Sequence, residues 1–161
     1  MLRETGIRRA PDAAAATEGA GPAAGVRWDL SHLYASPDDP ALEADLDDAL
    51  AKAERFAERY RGNVAALSAA ELVASVDDYE ALQEPISRVA SYAQLLYAAD
   101  TATPRHGALL QHVQERATEI RNHLLFFELE WVAVDEAQAK ALLADPDAQS
   151  RRHFLEGMRR Y

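Results

Sequence analysis

PRHGALLQHVQERATEIRNHLLFFELEW, residues 104–131, is the stretch that decides the fold. It opens with Thr103-Pro104, a capping residue followed by proline at the first helical position. Apolar residues then recur every three or four positions, which is typical of one buried face of an α-helix: Leu109, Val113, Ala117, Ile120, Leu124, Phe127 and Trp131. A helix of this length would extend about 40 Å. The pattern predicts a long helix that packs against neighbouring helices.

The same period continues toward the N-terminus. Asp39-Pro40 repeats the cap-then-proline signal and predicts a first helix that ends near Gly62. The capping box Ser68–Glu71 predicts the start of a second helix. Pro85 is expected to end or kink that helix, because the residue before a proline avoids helical geometry. A third helix would then run from about Pro85 to Ala99.

Two shorter helices are expected after residue 131. Asp135 would cap a fifth helix that reaches Leu143, and Asp145-Pro146 would start a sixth that continues to the chain end. Since the sequence contains no alternating strand pattern of useful length, we predict an all-α fold, an antiparallel multi-helix lobe of about six helices.

The first 25 residues differ in composition from the rest. They are rich in Ala, Gly and Pro and contain no Leu, Ile or Phe after Ile7, so little apolar surface is available to offset the entropy of ordering them. We expect a disordered tail over 1–25 and one helical lobe over 26–161.

Composition excludes several classes of function. The 161 residues contain no cysteine, which rules out disulfides, thiolate metal sites and cysteine nucleophiles. The net charge of −10 argues against nucleic acid as the main partner, because phosphate backbones are bound through basic surfaces. The same acidic balance argues against anionic lipid, so no membrane partner is expected, and no run approaches the 18 apolar residues of a membrane span.

One flank of the long helix carries His112, Arg116 and His123, with Glu119 and Glu130 just beyond. Histidines and carboxylates together suggest a metal site, but His112 and His123 are eleven residues, or about 16 Å, apart. A single ion with ligands at about 2 Å cannot bind both. We therefore expect a solvated or salt-bridged flank, with no metal or other cofactor held by this chain.

The segment 123–131 is apolar almost all round, because Leu125, Phe126 and Leu129 project away from the core stripe. Such a helix is buried on every side. It is either central to this lobe or in contact with further protein. In the second case Leu125, Phe126 and Leu129 are the candidate contact residues. No catalytic motif accompanies them, since the sequence has no H-E-x-x-H pair, G-x-S-x-G elbow or phosphate-binding loop.

Four segments, in order, resemble the oligoendopeptidase F family of zinc metallopeptidases, which are similar to thimet oligopeptidases. The resemblance runs from Trp28 to Tyr161. Its landmarks are WDLSHLY (28–34) followed by SPDD (36–39), FAERYRGN (56–63), YAQLLYAADT (92–101) and HLLFFELEW (123–131).

The resemblance implies a long, all-helical, clam-shaped cytoplasmic enzyme that cleaves short peptides. Its zinc would be held by an H-E-x-x-H helix and a distant glutamate, with the glutamate between the histidines activating water. This sequence has none of these elements, so no catalytic residue or zinc ligand is carried over. It would supply the N-terminal lobe, one wall of the substrate cleft, and its partners would be a C-terminal catalytic domain and an oligopeptide. A free-standing helical interaction module is the alternative.

Overall fold

The computed structural model describes residues 28–160, and within this range the chain is all-α, as predicted. Within this range five α-helices follow a short N-terminal segment. A single 3-10 turn, Val64–Ala66, lies between the first two helices, and another, Pro146–Ala148, lies between the last two. The helices are α1 (Pro40–Tyr60), α2 (Ala69–Ala99), α3 (Pro104–Ala133), α4 (Glu136–Ala144) and α5 (Arg152–Met158). The expected tail, residues 1–25, lies outside the described residues.

Helices α1, α2 and α3 each pack against the other two and form the body of the lobe. The apolar stripe of α3 enters this core, with Ile120, Phe127 and Trp131 fully buried and Leu109 partly buried. Phe56 of α1 meets Phe127 edge-on, with their ring centroids 5.3 Å apart. The stripe read from the sequence is therefore the core face of α3.

Of the two outcomes expected at Pro85, a helix end or a kink, the helix end is wrong, because α2 continues through it from Ala69 to Ala99. Proline has no N–H to donate to the carbonyl of Ala81, four residues earlier. Ala81 is exposed, so that carbonyl can bond to solvent instead. Leu82 and Val89 are buried on either side of the proline, and their packing keeps both halves of the helix in place.

The expected sixth helix is shorter than predicted. The Asp145 side chain accepts the N–H of Asp147 at 2.9 Å, but the structure that it caps is the single turn Pro146–Ala148. Helix α5 begins only at Arg152. Ala148 is fully buried, and this turn packs against α2, so tertiary contact holds a turn where the local signal predicts a helix start.

Over the described range, no helix has the combination of length and apolar character needed to cross a lipid bilayer.

Candidate functional site

Ion pairs join α3 to α1 along the flank that carries histidine. His112 Nε2 lies 2.6 Å from a carboxylate oxygen of Glu43, and Arg116 donates to Asp47 at 2.7 Å. The bond to Asp47 holds the pKa of Arg116 above its usual range. This flank is salt-bridged, as expected. In residues 28–160, His, Asp and Glu side chains nowhere gather in groups of three that could hold a metal ion.

Glu130 connects α3 to the turn that follows α1. Its two carboxylate oxygens accept the N–H of Gly62 at 2.8 and 3.0 Å, and one of them also accepts the N–H of Val64 at 3.4 Å. Gly62 has a φ of +80°, in the left-handed region that favours glycine. This carboxylate therefore has a structural role, because it accepts N–H groups of the connection that follows α1.

The C-terminal end of α3 is held by α5 and the residue after it. Trp131 Nε1 donates to the carbonyl of Leu155 at 2.9 Å. The Arg159 guanidinium lies over the Trp131 ring and donates to the carbonyls of Trp131 and Val134 at 2.6 and 2.9 Å. Carbonyls at a helix end have no partner within the helix, and a cation is favourable there.

Two tyrosines pair with carboxylates inside the lobe. The hydroxyl of Tyr34 donates to Asp45 at 2.6 Å, and that of Tyr60 donates to Asp78 at 2.8 Å. Burial, reinforced by these hydrogen bonds, raises the pKa of each tyrosine to about 12. Both hydroxyls therefore stay protonated at neutral pH and serve as hydrogen-bond donors.

An open groove of about 820 Å³ lies between the N-terminal segment 28–37 and the C-terminal part of α2. Tyr34, Tyr92 and Leu96 contribute apolar surface to it, and Asp100 and His106 lie at its polar end. His106 Nδ1 is 3.0 Å from the carbonyl of Asp100, which orients the imidazole toward the backbone. This contact ties His106, in the first turn of α3, to the residue that follows α2.

The most unusual surface is an apolar line on α3 that points away from the core. Leu125, Leu129 and Val132 are 55%, 60% and 43% exposed, and they are spaced at i, i+4 and i+7. We call these three residues the outer stripe. Trp28 is the one other large exposed hydrophobic side chain within the described part of the chain. Apolar side chains gathered on one helix face are typical of a contact surface.

Two charged residues border the outer stripe. Arg121 and Glu128 are both exposed on α3, and neither has an oppositely charged side chain within 4 Å among residues 28–160. Arg121 also lines a shallow groove of about 610 Å³ between α2 and α3. The stripe therefore has charges of both signs at its edge.

Of the three contact residues proposed from the sequence, Leu125 and Leu129 are exposed together, whereas Phe126 is partly buried. The Phe126 ring lies 5.8 Å from that of Phe56, and the Arg61 guanidinium covers it at 5.1 Å. Phe126 therefore belongs to the edge between α1 and α3.

Sequence reasoning did not include Val132, Arg121 and Glu128 in this surface. Their spacing from Leu125 and Leu129 carries the signal, because residues three, four and seven apart share one face of a helix. The all-round apolar run of the sequence ends at Trp131, one residue before Val132.

Comparison of the chain with protein-family models, with curated proteins and with solved structures finds no match.

Proposed function

We propose that this chain is the N-terminal, non-catalytic lobe of a cytoplasmic zinc-dependent oligoendopeptidase that hydrolyses short peptides. In that enzyme the lobe forms one wall of the substrate cleft. The zinc and the residues that bind it belong to a C-terminal catalytic domain, and this chain supplies no metal ligand. The support comes from the resemblance of four ordered segments and from the all-helical architecture of residues 28–160.

The observation that carries the proposal is the outer stripe. It lies in and just after the segment 123–131, one of the four that resemble the family, and it exposes leucines in the C-terminal third of a long helix. A second lobe packed on this face would bury Leu125 and Leu129, at a gain of about 1.5–3 kcal/mol for each side chain fully buried.

The test begins with the coding sequence downstream of Tyr161. An open reading frame that contains H-E-x-x-H supports the proposal, and a natural stop codon directly after Tyr161 contradicts it. A longer chain through that motif should then cleave a quenched fluorescent peptide in the presence of zinc, whereas the 161-residue chain should not. The matched control is the longer chain with its motif glutamate changed to glutamine. Cleavage by the short chain itself would also overturn the assignment.

The second candidate is a free-standing helical interaction module. The specific observation in its favour is that Arg121 and Glu128, which border the outer stripe, have no ionic partner within the part of the chain that the structure describes. Charges of this kind set the choice and orientation of a partner in helix–helix contacts. A stop codon after Tyr161 favours this candidate.

A further inference from the structure

The outer stripe is part of a heptad pattern. In a coiled coil, positions a and d alternate at spacings of three and four residues and form the apolar seam between two helices. On α3, Asn122 and Leu129 occupy a, and Thr118, Leu125 and Val132 occupy d. All five are exposed, so this seam has no partner within the described lobe.

The two bordering charges occupy equivalent positions in this pattern. Arg121 and Glu128 are seven residues apart, and each immediately precedes an a position, which makes both of them g residues. Along one helix they are separated by about 10 Å, too far to pair with each other. An ionic partner for either side chain would therefore have to come from another helix.

Helix direction decides which residues meet across such a seam. In a parallel pair, g faces the e position of the partner, and the residue five positions after Arg121 is Phe126, which has no charge. In an antiparallel pair, g faces g. Arg121 of one chain then approaches Glu128 of the other, and the two-fold axis makes the same contact twice. The midpoint between residues 121 and 128 places that axis beside Leu125.

We infer that the outer stripe of α3 is the interface of an antiparallel homodimer, with Leu125 near the two-fold axis and two reciprocal Arg121–Glu128 ion pairs. A two-fold interface uses the same patch on both chains, so the patch must be complementary to itself. A seam with three apolar and two polar positions, bordered by one cation and one anion in equivalent positions, meets that requirement. The groove between α2 and α3, lined in part by Thr118 and Arg121, leaves space for side chains of the second copy.

The inference does not depend on the peptidase proposal. It concerns the 161-residue chain and assigns to a second copy the face that the peptidase proposal assigns to a second lobe, so in a longer polypeptide these two occupants exclude each other. The downstream reading frame tests the peptidase proposal, and self-association of the 161-residue chain tests this inference. Because the two measurements are separate, the failure of one proposal can be told apart from the failure of the other.

The test is charge reversal with sedimentation equilibrium on the 161-residue chain. The wild-type chain is expected to show a concentration-dependent monomer–dimer equilibrium. Arg121→Glu and Glu128→Arg should each raise the dimer dissociation constant about tenfold or more, because each places like charges opposite one another twice. The double variant R121E/E128R recreates both ion pairs with the signs exchanged, and its dissociation constant should return to within about threefold of wild type.

Glu58→Arg is the matched control, since Glu58 is exposed on α1 and the same change of charge there lies away from the outer stripe. It should leave the dissociation constant unchanged. Circular dichroism should show equal helix content in every variant, because all the substituted side chains are exposed. A monomeric wild type at all concentrations overturns the inference, and so does a dimer that the single reversals leave intact. Failure of the double variant to recover dimerisation likewise contradicts the Arg121–Glu128 pairing.

Discussion

Replacing Glu130 should destabilise the lobe, although this residue lies at its surface. The carboxylate accepts three N–H contacts from the turn after α1, two of them at 2.8 and 3.0 Å. A hydrogen bond to a charged group contributes about 1.5–3 kcal/mol. Water can reach the Gly62 N–H when the carboxylate is removed, so the lower part of that range applies. We expect Glu130→Ala to lower the free energy of unfolding by about 2 kcal/mol and Glu130→Gln, which keeps one acceptor oxygen, by about 1 kcal/mol.

Urea unfolding followed by circular dichroism measures these losses. With a denaturant slope of about 2 kcal/mol per molar urea, the Ala variant should unfold at a midpoint about 1 M lower than wild type. Glu58→Ala is the matched control, because it removes the same charge from an exposed side chain of α1 that forms no side-chain hydrogen bond or ion pair among residues 28–160 and lies outside the outer stripe. It should change stability by about 0.5 kcal/mol or less.

Hydrogen exchange supplies a local readout of the same contact. The amide of Gly62 should be protected in the wild type and should exchange faster in Glu130→Ala, while amides in the middle of α1 keep their relative protection. Equal unfolding midpoints for Glu130→Ala and Glu58→Ala would refute the reasoning, and so would unchanged exchange at Gly62.

Two further outcomes are expected. Arg159→Met keeps a long side chain but removes the donors to two carbonyls at the end of α3. In the same urea assay it should lower the free energy of unfolding by about 1–3 kcal/mol. An unchanged midpoint would show that the guanidinium does not hold α3. For Tyr34 and Tyr60, the folded pKa of about 12 lies above the usual value of about 10. The unfolded chain therefore loses these protons first, so stability is fully present below about pH 10 and falls as the pH rises toward about 12. Tyr60→Phe should make this fall shallower, and an identical pH dependence would contradict the assignment.

Signals within a few residues of each other predicted most of the helix starts. Asp39 accepts the N–H of Ala41, the Ser68–Glu71 box forms both of its bonds, and Asp135 caps α4. Because such caps act over three or four residues, a helix start can be predicted from the sequence without knowledge of the tertiary structure. Pro85 shows the limit of local rules, because burial of residues on either side of it outweighs the missing hydrogen bond.

The candidate surface was predictable only in part. The helical period places Leu125 and Leu129 opposite the core stripe, and they are exposed. The same period does not show that Phe56 and Arg61, on another element, cover Phe126. The contact from Glu130 to Gly62 joins residues 68 positions apart, and no spacing rule within one helix reveals such a pair.

The bond between Arg159 and the end of α3 has a consequence for synthesis of the chain. The carbonyl of Trp131 receives its guanidinium donor from a residue 28 positions later. During translation α3 therefore leaves the ribosome before its C-terminal end can be closed. In that interval the last turn of α3 and the face of Trp131 that Arg159 covers remain open to solvent and to chaperones, so this end of α3 is covered only when α5 and Arg159 emerge.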